Sequence, residues 1–166
     1  MCNSKIKNLT KKLSILNAYT IFLLIQVSNS RVKYYNGKCS PINICRKEKG
    51  YSEAWLHHKG RNKHHFQYWV DENSPIQTPI IPYKYAVEMI CDKLAAGMIY
   101  KGKEFTPQYE LDYWNEERKV VKVNTKIDKF ITVVLTKCVD DGIDNTLKKK
   151  KIKSIYENIV NEKNNY

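Results

Sequence analysis

A chain of 166 residues, 42% hydrophobic and 11% aromatic, fits one domain with a buried core and is too apolar to be a disordered one. Its net charge of +12 favours anionic partners such as nucleotides, phosphates, nucleic acid or acidic lipid, although much of the excess is lysine spread along the chain. Five cysteines, Cys2, Cys39, Cys45, Cys91 and Cys138, form no C-x-x-C pair, which argues against a zinc ribbon and a disulfide framework and leaves reduced cytosolic thiols as the simplest account.

In residues 1–30, Lys5, Lys7, Lys11 and Lys12 precede an apolar run from Leu13 to Val27, broken by Ser14, Asn17, Thr20 and Gln26. The basic start, the short apolar centre and the small Ser28 and Ser30 resemble a signal peptide, and the alternative is an ordinary first helix with a buried face. A membrane-spanning helix needs about 20 apolar residues, so no integral membrane association is expected. A cytoplasmic protein is the main reading and a secreted one the minor. Arg31 to Gly50 reads as an irregular connection, with turn signals at Asn36-Gly37 and Ser40-Pro41.

Tyr51 to Trp69 reads as a helix, and it holds all four histidines, His57, His58, His64 and His65. On one continuous helix, residues seven apart share a bearing to within about 20°. His57 would then stack above His64 and His58 above His65, about 10 Å apart along the axis. Ligand nitrogens sit about 2 Å from a metal, so one ion cannot be gripped at that separation. A ligand set needs a bend or carboxylates from elsewhere, and Gly60 is the expected bend, glycine being a poor helix-interior residue. The sequence leaves two readings open: a metal or acid–base site, or an amphipathic helix in which Trp55, Phe66 and Trp69 pack and the histidines sit at its boundary.

Asp71 to Pro82 carries Pro75, Pro79 and Pro82 and must be an extended loop. Tyr83 to Tyr100 is the strongest helix, with Val87, Cys91, Leu94, Ala95 and Met98 at the spacing of a core face. Glu88 and Asp92, four apart, lie on one side at its edge. They form either a solvated flank or a carboxylate pair that meets the histidines across a helix–helix contact.

Gly102 is expected to cap that helix and Thr106-Pro107 to begin another, carrying Tyr109, Leu111, Tyr113 and Trp114. Asn124-Thr125 caps the next, with Ile127, Phe130, Ile131, Val134, Leu135 and Cys138 as its core face. A strand is the alternative over Phe130 to Leu135, which is rich in β-branched residues. Asp140 to Asp144 lacks the spacing of a calcium loop and reads as a helix end with Gly142 as cap. Residues 147–166 read as a basic polar tail, opening with Lys148, Lys149, Lys150, Lys151 and Lys153. As a nucleic-acid element such a run would act through phosphate charge alone. The domain proper is then 31–146. No glycine-rich nucleotide loop, nucleophile elbow, H-E-x-x-H or internal repeat is present.

Three strings carry a resemblance: Ala54-Trp55-Leu56-His57-His58, Asn62-Lys63-His64-His65-Phe66-Gln67-Tyr68-Trp69 and Glu88-Met89-Ile90-Cys91-Asp92. Through them the chain resembles an uncharacterised bacterial and phage family, a domain of unknown function (DUF5662), from about Val32 to Asp144. That family is similar in pattern to the HD-type metal-dependent phosphohydrolases, all-helical domains in which separated histidines and aspartates hold a divalent metal. The resemblance implies an all-α, HD-like domain, with His58, His64, His65 and Asp92 as ligands; Glu88, on the same helix side as Asp92, is the expected catalytic carboxylate. The implied ion is Zn, Mn, Fe or Ni with water as nucleophile, and the implied substrate is a phosphorylated small molecule or nucleotide.

This chain departs from the family pattern upstream. Members usually carry an earlier histidine and a His-Asp-Leu-Ser-Lys segment, whereas no histidine here precedes His57 and Leu13 to Ser30 does not match. The site is then incomplete and this copy inactive, or the N-terminal part has been lost by truncation or a shifted frame; the second is the expectation. The alternative function is a non-enzymatic basic module that binds nucleic acid or another anionic partner.

Overall fold

The computed structural model describes residues 41–162. The apolar run Leu13 to Val27, the Asn36-Gly37 turn, Cys2, Cys39 and residues 163–166 lie outside them. The fold is all-α: seven α-helices and two short 3-10 turns make up the regular structure of the described residues. Phe130 to Leu135, the one stretch with a strand alternative, is helical. The chain divides between Tyr68 and Trp69 into two units.

The first unit contains α1 (Pro41–Lys49) and α2 (Glu53–Arg61). Gly50 ends α1 in the left-handed region, at φ 76°, where its N–H donates to the Arg46 carbonyl at 2.8 Å. A side chain at that φ would be strained, which is why glycine suits the turn. Ser52 then caps α2: its backbone is extended, and its hydroxyl accepts from Trp55 N at 3.3 Å, satisfying one of the orphan donors of the first turn. Cys45 on α1 is buried.

The second unit contains α3 (Tyr83–Lys101), α4 (Pro107–Glu117), α5 (Thr125–Asp141), α6 (Ile143–Thr146) and α7 (Lys149–Asn161). Its centre is α5, which packs against α3, α4, α6 and α7. Ile127, Phe130, Ile131, Val134, Leu135 and Cys138 are all completely buried, the face that the sequence predicts. Helical geometry explains why the strand alternative fails: it gathers these six positions on one stripe, whereas a strand would send neighbours such as Phe130 and Ile131 to opposite faces.

On α3 the buried face is wider than expected. Val87, Cys91 and Leu94 are joined by Ala86, Met89, Ile90 and Gly97, while Ala95 and Met98 are half-buried. Thr106 stands at the N-cap position of α4, with Pro107 beside it, but its side chain makes no capping hydrogen bond. Trp114 on α4 is fully buried and donates from Nε1 to Thr132 Oγ1 on α5 at 3.0 Å. Arg118 pairs with Asp128 across the same helices. Asn124 caps α5 by accepting from Lys126 N at 3.0 Å, and its amide donates to the Thr78 carbonyl at 2.7 Å, fixing the proline-rich loop to the helix start.

The lysine-rich segment read from sequence as a polar tail is part of this core. Leu147, Ile152, Tyr156 and Ile159 are buried, and the Tyr156 hydroxyl donates to the Ile81 carbonyl at 2.7 Å. Lys126 donates to the carbonyls of Val160 and Glu162 at 2.6 and 2.8 Å, covering orphan acceptors at the end of α7. No helix among the described residues is long and apolar enough to cross a membrane.

Candidate metal centre

The histidine segment is not one helix. Gly60, the expected bend, lies inside α2, and the helix instead ends at Arg61 with Asn62 extended at φ −101° and ψ 115°. A helical glycine costs only about 1 kcal/mol relative to alanine, so Gly60 alone does not force a break. Asn62 competes with the helix directly. Its side-chain nitrogen donates to the His58 carbonyl at 2.8 Å and lies 3.0 Å from His58 Nδ1, while its backbone N–H also reaches the His58 carbonyl at 3.1 Å. Short polar side chains end helices in this way, by offering the backbone an alternative partner.

Beyond Asn62 the chain turns back tightly: His65 N donates to the Asn62 carbonyl and Tyr68 N to the His65 carbonyl, each at 3.1 Å. The reversal brings His64 and His65 against His58. Ring centroids are 5.7 Å apart for His58 and His64, 4.7 Å for His58 and His65, and 4.4 Å for His64 and His65. One nitrogen from each of the three lies within 4.8 Å of the others. The separation of about 10 Å expected for stacked histidines on a straight helix is therefore replaced by convergence.

The surroundings hold these rings in place. Trp55 meets His65 edge to face at 5.0 Å and lies 6.0 Å from His58. The Arg46 guanidinium sits over the Trp55 ring at 5.9 Å, a cation–π contact. His64 is buried, His58 and His65 are half-buried, and His57 is exposed and outside the cluster. Burial, then the proximity of His64 and His57, lowers the His58 pKa to about 4. His58 is therefore neutral at physiological pH, the form in which an imidazole binds a metal.

The donor set fits a transition metal. Bonds of about 2 Å to a tetrahedral ion place the nitrogens roughly 3.3 Å apart, so the three rings would draw together on binding. Imidazoles suit Zn, Cu, Ni and Fe, whereas a set without carboxylates suits Mn, Mg or Ca less well.

Asp92 and Glu88 stand on α3, in the second unit, and both are half-buried. Burial raises the Glu88 pKa, against the opposing charge of Lys84. The sequence reading passed over a third carboxylate, Glu110 on α4, which is only 3% exposed. Burial pushes its pKa to about 7, opposed by Lys93 and reinforced by Glu117 and Asp92. Lys93 is itself paired with Glu117 and lies 5.0 Å from the Trp114 ring centroid. Glu110 precedes the fully buried Trp114 by one helical turn, and that spacing was the available sequence signal.

No curated protein and no solved structure matches the chain. A family model does, over residues 23–141, beginning somewhat upstream of the Val32 expected from the motifs. With more than two thirds of its length matched, histidine cluster included, the chain belongs to the family of unknown function DUF5662.

Proposed function

We propose that His58, His64 and His65 hold a divalent transition metal in an HD-like helical protein whose activity is hydrolysis of a phosphoester. The observation that carries this reading is the convergence of three imidazole nitrogens within 4.8 Å. The proposed centre is defined by these three histidines of the first unit alone. When bound, the ion would supply Lewis-acid activation of water and of the phosphoryl group. His58 is neutral at neutral pH, so it can take up an ion without net release of a proton. Trp55 walls one side of the cluster, restricting His58 and His65. Arg46 over that indole and the net charge of +12 favour a phosphorylated small molecule or nucleotide as substrate. The three described cysteines are free and buried, which agrees with a cytoplasmic location.

The test is hydrolysis of p-nitrophenyl phosphate and of nucleoside mono- and diphosphates by the full chain. Activity lost to a chelator and restored by one preferred ion supports the reading. Activity indifferent to chelator, or none with any reconstituted ion, removes the enzymatic part of it.

A second reading, a basic module for nucleic acid, is favoured by one observation. Exposed Lys149, Lys150 and Lys153 sit on α7, a helix that Ile152, Tyr156 and Ile159 anchor to the core. Such binding would weaken steeply with salt, in proportion to the phosphates neutralised.

A further inference from the structure

The geometry points to Asn62 as the positioning residue of the histidine centre: its carboxamide selects which His58 nitrogen carries the proton, and so sets the tautomer from which His58 takes up an ion. This inference rests on the metal reading of the cluster.

A carbonyl oxygen can only accept, and the Asn62 carboxamide nitrogen lies 2.8 Å from the His58 carbonyl. That contact fixes which end of the carboxamide faces His58. The same nitrogen lies 3.0 Å from His58 Nδ1. An NH2 group carries two hydrogens, one for each neighbour, so Nδ1 serves as acceptor and the neutral ring carries its proton on Nε2. In this state neither ring nitrogen is open to an ion: Nδ1 has committed its lone pair and Nε2 bears hydrogen.

Binding through Nε2 therefore requires a tautomer change. One proton leaves Nε2 to water and one returns from water to Nδ1, with no net change of charge. Nδ1 then donates and needs an acceptor, which Asn62 supplies once its carboxamide turns over and presents Oδ1. Two acceptor oxygens cannot share the 2.8 Å contact, so the turned carboxamide must also swing away from the His58 carbonyl, which keeps the Asn62 backbone N–H, at 3.1 Å, as its donor. A metal-ligating histidine characteristically gives its other N–H to such an acceptor, and losing that partner typically costs 10- to 100-fold in affinity. Asn62 is thus a latch with two settings, one for the metal-free ring and one for the ligated ring.

The substitution Asn62→Asp separates the settings, since a carboxylate can only accept. The measurement is a long-range 1H–15N correlation spectrum of the metal-free, 15N-labelled full chain, followed by Zn2+ titration against a chromophoric chelator. The parent is expected to show His58 protonated at Nε2 and the variant at Nδ1, with the variant binding Zn2+ about tenfold more tightly. Tighter binding without a change of tautomer would be a charge effect and would overturn the inference. A parent His58 protonated at Nδ1 would overturn it as well, even if the aspartate variant failed to fold. A parent with the expected tautomer that takes up no Zn2+ would sink the metal reading and leave the control of His58 by Asn62 standing.

Discussion

The carboxyl of Glu110 on α4 rests against Gly97 on α3, so closely that a Cβ at position 97 would stand 2.8 Å from Glu110 Oε2 and 2.6 Å from Phe105 Cε2. The glycine is needed for its missing side chain: α3 and α4 meet there with no room for a methyl group. Gly97→Ala gains roughly 1 kcal/mol in helix propensity but over-packs a site where distortion costs about 1–3 kcal/mol. Since Glu110 is buried, the clash is expected to outweigh the propensity gain, lowering stability by up to about 2 kcal/mol in a denaturant titration. A stabilised variant would show that the helices part easily at this point.

Glu110 also gives the second unit a pH dependence of definite sign. Its folded pKa is about 7 and its reference value 4.5, so the folded state keeps a proton that the unfolded state releases. Stability from this group is full below about pH 4.5, falls as pH rises through 7, and is level beyond. The loss is at most on the order of 3 kcal/mol, from 1.36 kcal/mol per pKa unit. Glu110→Gln is expected to be more stable than the parent at pH 8 and nearly equal to it at pH 4.5. Parallel stability profiles of the two proteins between those pH values would refute this.

The docking of α7 makes the C-terminal segment part of the fold. Tyr156→Phe keeps the ring contacts with Tyr83 and Phe130 but loses the buried hydrogen bond to the Ile81 carbonyl. It should cost about 1–3 kcal/mol, because the carbonyl is left without that donor. Removing residues 148–166 should cost far more and abolish the cooperative transition of the full chain. A truncated chain with an unchanged melting temperature would restore the polar-tail reading.

The sequence was most legible where large apolar residues recur with helical period. The face of α5 could be read directly, since Ile127, Phe130, Ile131, Val134, Leu135 and Cys138 all point one way and nothing polar intervenes. On α7 the same signal was present in Ile152, Tyr156 and Ile159, but the lysines around it drew the reading toward a solvated tail. At the candidate site the residues were legible and their arrangement was not. Helix periodicity predicts stacked histidines. The convergence depends on Asn62 outcompeting the next helical turn, a local hydrogen-bond contest that leaves no mark on periodicity. Glu110 was missed because carboxylates are taken to be at the surface, even one turn from a buried tryptophan.

The central claim, that His58, His64 and His65 form a metal centre, is tested most directly by metal content. Elemental mass spectrometry of the purified full chain would be set beside a His64→Ala, His65→Ala variant whose helical content is verified by circular dichroism. The account predicts near-stoichiometric transition metal in the parent and its loss in the variant. Metal absent from both, even after reconstitution with Zn, Mn, Fe and Ni, would contradict it and leave the three rings as packing side chains.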